Sequence, residues 1–117
     1  MARTIAIIED ERSIAENTRD FLERAGYTVQ WYSNRPDAQA ALAKQLPDLA
    51  VIDVGLGDEF EGGFDLCRDL RAQAPHLPII FFTARDSAID EISGLRLGAD
   101  DYLTKDISQA QLLARIV

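Results

Sequence analysis

The chain has 117 residues, 47% of them hydrophobic and 27% charged, with a formal net charge of −8 at pH 7. That is the length of one domain with enough apolar material for a core, which excludes wholesale disorder, and the single cysteine and absence of a Cys/His cluster exclude an internal disulfide and a zinc site. No apolar run approaches the ~18 residues of a membrane span, MARTIAII meets charge at Glu9 too soon for a signal peptide, and the acidic balance argues against gripping nucleic-acid phosphates, so a cytoplasmic domain without membrane contact is expected.

Short β-type runs alternate with helical patterns. Residues 3–8 (RTIAII) predict a first strand that ends at acids. Ile14, Thr18, Phe21, Leu22 and Ala25 recur at helical spacing over 13–25, with Ser13 and Glu16 as a capping box or a start one turn earlier at Asp10, and Gly26 suits the left-handed position after the helix. YTVQWY at 27–32 predicts strand two. Pro36 fits the first turn of a second helix with Ala38, Ala41 and Leu42 on its apolar stripe, closed by Pro47. LAVID at 49–53 reads as a central strand covered on both faces. A long turn over 54–62 leads into a helix bearing Phe64, Cys67 and Leu70, and IIFFT at 79–83 is strand four. The fourth helix, 87–97, carries Ile89, Ile92 and Leu95 or Leu97 as its apolar residues and ends at Gly98. Residues 102–104 form a short fifth strand. Ser108 with Gln111 caps a last helix whose apolar face is Leu112, Leu113 and Ile116, and which is still running at Val117, so that a longer protein is expected.

Five β-α units in alternation predict an α/β fold, a doubly wound five-stranded parallel sheet of order 2-1-3-4-5 with helices on both faces. In such a sheet the active crevice lies outside the carboxyl ends of the strands. There the sequence places Glu9, Asp10 and Glu11 after strand one, Asp53 after strand three, Thr83 and Ala84 after strand four and Lys105 after strand five. Converging carboxylates call for compensation, and hard carboxylate oxygens suit Mg²⁺. A lysine and a hydroxyl opposite them suit an anion, so the site reads as built for a phosphoryl group on or near a carboxylate.

IIEDE at 7–11, LAVIDVGL at 49–56, FFTAR at 81–85 and GADDYLTK at 98–105, in this order and each at a strand end, resemble the receiver domain of bacterial two-component response regulators over essentially the whole chain. GADDYLTK with LLARI at 112–116 is most similar to the subfamily whose receiver precedes a winged-helix DNA-binding domain. The run at 55–71 (GLGDEFEGGFDLCRDLR) further resembles regulators that accompany a dedicated sortase system in proteobacteria. The resemblance implies that Asp53 is the phosphoacceptor, served by a sensor histidine kinase. It implies that Asp10 and Asp53 ligate Mg²⁺ directly, that Glu9 acts through water, and that the Gly55 carbonyl is the third protein ligand. Thr83, Ala84 and Lys105 would bind the phosphoryl oxygens, and Tyr102 would turn inward when Thr83 moves. Activation would pair two receivers through Asp100, Asp101 and Arg115, and DNA would be met only through a C-terminal output domain beyond this chain.

The sequence departs from that pattern in three places. Gly57 stands where a proline is usual and Gly63-Phe64 arrives about two residues late. Lys105 is followed by Asp106 in place of proline, and the peptide between them is expected trans with Lys105 still reaching Asp53. Glu91 and Gln111 cannot form the ion pair usual on the dimer face. Cys67 is expected to be inert core, His76 exposed, and Asp58, Glu59 and Glu61 a solvated loop face. A phosphohydrolase would need an acid where Gly55 stands, and a flavodoxin-like cofactor binder would need a Ser/Thr/Gly loop after strand one. A pseudo-receiver that does not use phosphate is the rival reading, and it predicts a broken acid pocket. The expectation is thus a signalling module and not a turnover enzyme.

Overall fold

The computed structural model describes residues 3–116; Val117, on which the expected continuation of the last helix falls, lies outside them. The elements are β1 (Thr4–Ile8), α1 (Arg12–Arg24), β2 (Thr28–Tyr32), α2 (Arg35–Lys44), β3 (Leu49–Ile52), α3 (Gly62–Gln73), β4 (Ile79–Thr83), α4 (Ala88–Arg96), β5 (Asp101–Thr104) and α5 (Gln109–Ile116). The strands pair in parallel in the order β2-β1-β3-β4-β5, as the alternating pattern predicts. Among the described residues no helix is long and apolar enough to cross a membrane.

Alternation along the strands divides the core into two layers. Ala6, Ile8, Ala50, Ile52, Ile79, Phe81 and Tyr102 pack with Leu42 of α2 and Leu66, Cys67 and Leu70 of α3. Ile5, Ile7, Val51, Ile80, Phe82 and Leu103 pack on the other face with Leu22 of α1 and Leu112 of α5. β3 is buried at every position, as a strand covered on both faces must be. Cys67 is fully buried, and burial pushes its thiol up to about 11, so it is inert at neutral pH. His76 is exposed.

The helix ends follow the sequence signals with one exception. Asn34 caps α2 by accepting from the Asp37 N–H at 2.8 Å. Ser108 and Gln111 form the reciprocal capping box of α5, at 3.1 and 2.8 Å. Gly26 (φ 100°) and Gly98 (φ 108°) take the left-handed positions after α1 and α4. The exception is α1. It starts at Arg12 behind Glu11, neither the Ser13–Glu16 box nor an Asp10 cap forms, and the carboxylate of Glu9 accepts the Glu11 N–H instead, at 3.2 Å. Asp10 is turned to the Gly57 N–H of the β3–α3 loop, so it does not cap the helix.

In α4 the apolar residues do not mark the packed side. Ile89 (77% exposed), Ile92 (52%) and Leu95 (42%) face outward. The helix packs through Gly94, which is buried, and through Leu97. A Cβ at Gly94 would lie 2.9 Å from Tyr102 and 3.1 Å from Phe81, so the missing side chain lets the backbone of α4 sit directly on these rings.

Candidate functional site

Strand order puts the carboxyl ends of β1 and β3 side by side, at the point where the sheet reverses its winding. The Asp53 N–H donates to the Ile8 carbonyl at 2.9 Å, extending that pairing one residue past the strand. Carboxylate oxygens of Glu9, Asp10 and Asp53 all lie within 4.8 Å of one another, Glu9 and Asp53 buried and Asp10 exposed. Asp53 also turns Oδ1 back to its neighbour, accepting the Val54 N–H at 2.7 Å. Asp10 reaches across the crevice and accepts the Gly57 N–H at 3.0 Å.

Lys105 enters from the end of β5. Its Nζ lies 2.5 Å from Glu9 Oε1 and 2.8 Å from Asp53 Oδ2, and its own N–H donates to the Thr83 carbonyl at 2.8 Å. No cis peptide bond occurs among the described residues, so the Lys105–Asp106 bond is trans and the lysine reaches Asp53 as expected. Where a proline is usual, the Asp106 carboxylate accepts a hydrogen bond from the Thr104 hydroxyl. Burial pushes the Glu9 carboxyl up to about 7, against the hydrogen bond from Lys105, with the charge of Asp53 pushing the same way. Burial alone would lower Lys105, but its bonds to Asp53 and Glu9 outweigh it and hold the ammonium above its ordinary value.

Asp10, Asp53, Gly55, Thr83, Ala84 and Lys105 line one surface depression of about 230 Å³, with Glu11, Gly57 and Arg85 completing its rim. Thr83 is buried, and its hydroxyl accepts the Arg85 N–H at 3.3 Å. Tyr102 already faces inward behind this wall, 7% exposed, in place of the expected inward turn, and its hydroxyl donates to the Arg85 carbonyl at 2.8 Å. The residues expected on a dimer face stand apart from the depression. Asp101 pairs with Arg115 within the chain at 2.9 Å. Asp100 accepts the Ile79 N–H at 2.9 Å and stands 3.4 Å from Arg71.

The lengthened β3–α3 loop is anchored at both sides. Leu56 and Glu59 exchange backbone hydrogen bonds at 3.0 Å across a turn that Gly57 (φ 64°) makes possible. Asp58 and Glu61 are exposed as expected, while Glu59 is half-buried and paired. It takes a bidentate bond from Arg35 at 2.7 and 2.8 Å, which holds its carboxyl below the usual range. Glu61 lies 3.7 Å from Arg85. Arg85 donates to the Phe60 carbonyl at 2.7 Å, stacks on the Phe60 ring at 4.1 Å and pairs with Asp90 at the start of α4 at 2.7 Å. The β3–α3 loop is thereby tied to α2 on one side and to α4 on the other.

Three residues of the site escape a reading of spacing alone. Arg85 sits in FFTAR next to Ala84, but its partners come from the β3–α3 loop and the first turn of α4. Gly63 is pressed against the backbone of Asp53, where a Cβ would lie 1.9 Å from the carbonyl oxygen. Trp31, at the end of β2, donates its indole N–H to the Glu9 carbonyl at 2.7 Å. Nothing in the local sequence marks these contacts, because each crosses between elements.

A parallel sheet with buried acids at its switch point and a lysine bridging two of them is an arrangement that can hold a cation or a phosphoryl group. The chain matches the response regulator receiver domain over residues 5–117, and it belongs to that family. It is 39% identical over 113 residues to the transcriptional regulatory protein CreB of Escherichia coli (strain K12), a match that covers 97% of this chain and 48% of CreB. The chain thus spans about half the length of that relative. Among solved structures it is similar to the BeF3-activated N-terminal receiver domain of RstA from Klebsiella pneumoniae, at TM-score 0.88 and 33% identity over 97% of this chain and 94% of that one. A CheY-like receiver domain protein from Methanospirillum hungatei JF-1 superposes at TM-score 0.92 and 28% identity, covering 99% and 91%.

Proposed function

We propose that this chain is a phosphorylation switch that accepts a phosphoryl group on Asp53 from a sensor histidine kinase and controls a C-terminal output domain, of the winged-helix DNA-binding kind. The observation that carries this reading is the Lys105 ammonium set between Glu9 and Asp53 at the β1/β3 switch point. It leaves Asp53 buried but open to the depression, with a fixed cation beside it.

The chemistry follows from these groups. An Asp53 carboxylate oxygen forms the new P–O bond while the P–N bond of the donor phosphohistidine breaks, and the released imidazole takes a proton from solvent. Lys105 faces the charge on the transferring group, and the Thr83 hydroxyl and the Ala84 N–H receive its oxygens, so the protein's part is positioning and electrostatics. The donor set fits Mg²⁺: three carboxylates of hard oxygen lie within 4.8 Å, and burial pushes that of Glu9 up to about 7. Asp10, Asp53 and the Gly55 carbonyl would hold the ion, and Glu9 would act through water. When bound it neutralises charge on the oxygens being transferred. The added phosphate draws on Thr83, and Tyr102, whose hydroxyl bonds to the Arg85 carbonyl, couples that pull to α4.

Incubation with acetyl phosphate and Mg²⁺ should add one phosphoryl group per chain. Asp53→Asn should abolish the addition, and Asp10→Ala should demand far more Mg²⁺ for it. Undiminished labelling of Asp53→Asn would refute the assignment.

The outward Ile89, Ile92 and Leu95 give α4 an apolar strip beside Asp101 and Arg115, which supports pairing of two activated receivers across α4, β5 and α5. With Glu91 and Gln111 unable to form an ion pair the dimer should be weak, although an exposed pair contributes only ~0–1 kcal/mol. Sedimentation should show monomers that dimerise with Mg²⁺ and beryllofluoride. A chain that stays monomeric at high concentration when so activated would count against pairing.

A further inference from the structure

We infer that Trp31 is a positioning residue for the acid pocket, aiming Glu9 and Asp10 through the peptide that joins them. The inference rests on the reading of that pocket as a Mg²⁺ site.

In a parallel ladder the carbonyl beyond the end of β1 takes its hydrogen bond from a backbone N–H of the neighbouring strand. The Glu9 N–H keeps that pattern, donating to the Tyr32 carbonyl at 3.0 Å. The Glu9 carbonyl does not, because the chain bends away after Tyr32 and Asn34 is already the cap of α2. The indole N–H of Trp31 takes the place of the missing backbone donor, at 2.7 Å. A carbonyl here without a partner would be costly, since the Glu9 side chain is buried.

That carbonyl belongs to the planar peptide between Glu9 and Asp10. Its orientation fixes ψ of Glu9 and φ of Asp10, so a bonded carbonyl steadies the main chain from which both acids leave. The Glu9 carboxylate is held by Lys105 at 2.5 Å and by the Glu11 N–H at 3.2 Å, and Asp10 by the Gly57 N–H at 3.0 Å. The indole fixes the main chain between these two grips. Its ring is itself anchored: it packs against the layer of Ile5, Ile7 and Leu22, and the Arg12 guanidinium lies 5.8 Å from its centre. Trp31→Phe therefore removes the donor and keeps most of the apolar contact.

The test is Mg²⁺ binding to the full chain by calorimetry, with Mg²⁺ alone as the titrant, beside thermal unfolding of the metal-free protein. Trp31→Phe should weaken Mg²⁺ about three- to tenfold, the effect of one hydrogen bond behind a ligand, while the variant stays folded. If Trp31→Phe folds poorly, β-(3-benzothienyl)alanine at position 31, which replaces the N–H by sulfur in the same shape, gives the answer and should weaken Mg²⁺ alike. Unchanged affinity in the folded variant overturns the role of Trp31 and leaves the proposed function standing. Absence of Mg²⁺ binding by the unaltered chain overturns the metal site itself and this inference with it.

Discussion

Gly63→Ala should destabilise the domain by ~3 kcal/mol or more and lower its melting temperature by about 10 °C. A Cβ at this position would lie 1.9 Å from the Asp53 carbonyl oxygen, 2.8 Å from the Asp53 carbonyl carbon and 2.8 Å from the Val54 Cα. These are backbone atoms at the end of a central strand, so no rotamer change relieves the clash. The Gly63 N–H also donates to the Val54 carbonyl at 2.7 Å, which draws the start of α3 onto the strand end. Relief requires either α3 to retreat or the Asp53–Val54 peptide to move, and the second displaces the carboxylate proposed to react. Gly62→Ala is the control. A Cβ there would lie 2.9 Å from Glu59 Oε1, 3.1 Å from Glu59 Cβ and 3.3 Å from Leu56 Cβ, side-chain atoms that give by a few tenths of an ångström at the cost of loosening the Arg35–Glu59 bond, so its loss should be smaller than that of Gly63→Ala. Thermal melts of both variants check this, and a Gly63→Ala protein that melts with the unaltered chain would show that the junction yields.

Lys105→Ala should have the other large effect, and its size should depend on Mg²⁺. The substitution leaves Glu9 and Asp53 beside each other without the ammonium that now lies 2.5 and 2.8 Å from them. Removing one partner of a buried ionic group costs ~3–5 kcal/mol. Proton uptake by Glu9, already pushed up to about 7 by burial, limits the loss, so about 2–4 kcal/mol is expected for the metal-free protein. Mg²⁺ should restore more stability to the variant than to the unaltered chain, because the ion supplies the positive charge that the lysine supplied. Phosphoryl addition should remain poor even at saturating Mg²⁺, since the cation facing the transferring group is gone. Urea unfolding with and without Mg²⁺ measures the first part; equal stability of both proteins in chelator would contradict it.

The strand order, the four crossovers and the gathering of Glu9, Asp10, Asp53, Thr83, Ala84 and Lys105 at one end of the sheet were legible in the sequence. Parallel βα units leave few topologies, and the residues at strand ends follow once the strands are placed. One local reading failed because tertiary contact overrides local pattern. Ser13 and Glu16 have the spacing of a cap, yet neither caps α1. In α4 the apolar residues do not say which side is buried: Ile89, Ile92 and Leu95 face outward while the helix approaches the sheet through Gly94, and a glycine carries no apolar signal. The contacts of Trp31 with Glu9, of Gly63 with Asp53 and of Arg85 with Phe60 and Asp90 each join residues of different elements or loops. No periodicity records such pairs. Asp106 shows the opposite case: the missing proline was visible, and the trans peptide with Lys105 still on Asp53 is what local backbone cost favours.

The most direct measurement traps the phosphoryl group where it lands. The chain is incubated with acetyl phosphate and Mg²⁺, the acyl phosphate is reduced with borohydride, and the modified residue is located by peptide mass. Reduction of an aspartyl phosphate leaves homoserine, and the account predicts it at position 53 alone, dependent on Mg²⁺. Homoserine at Asp10 or in the 58–61 loop in place of Asp53, or no modification while the folded chain binds Mg²⁺, would contradict it.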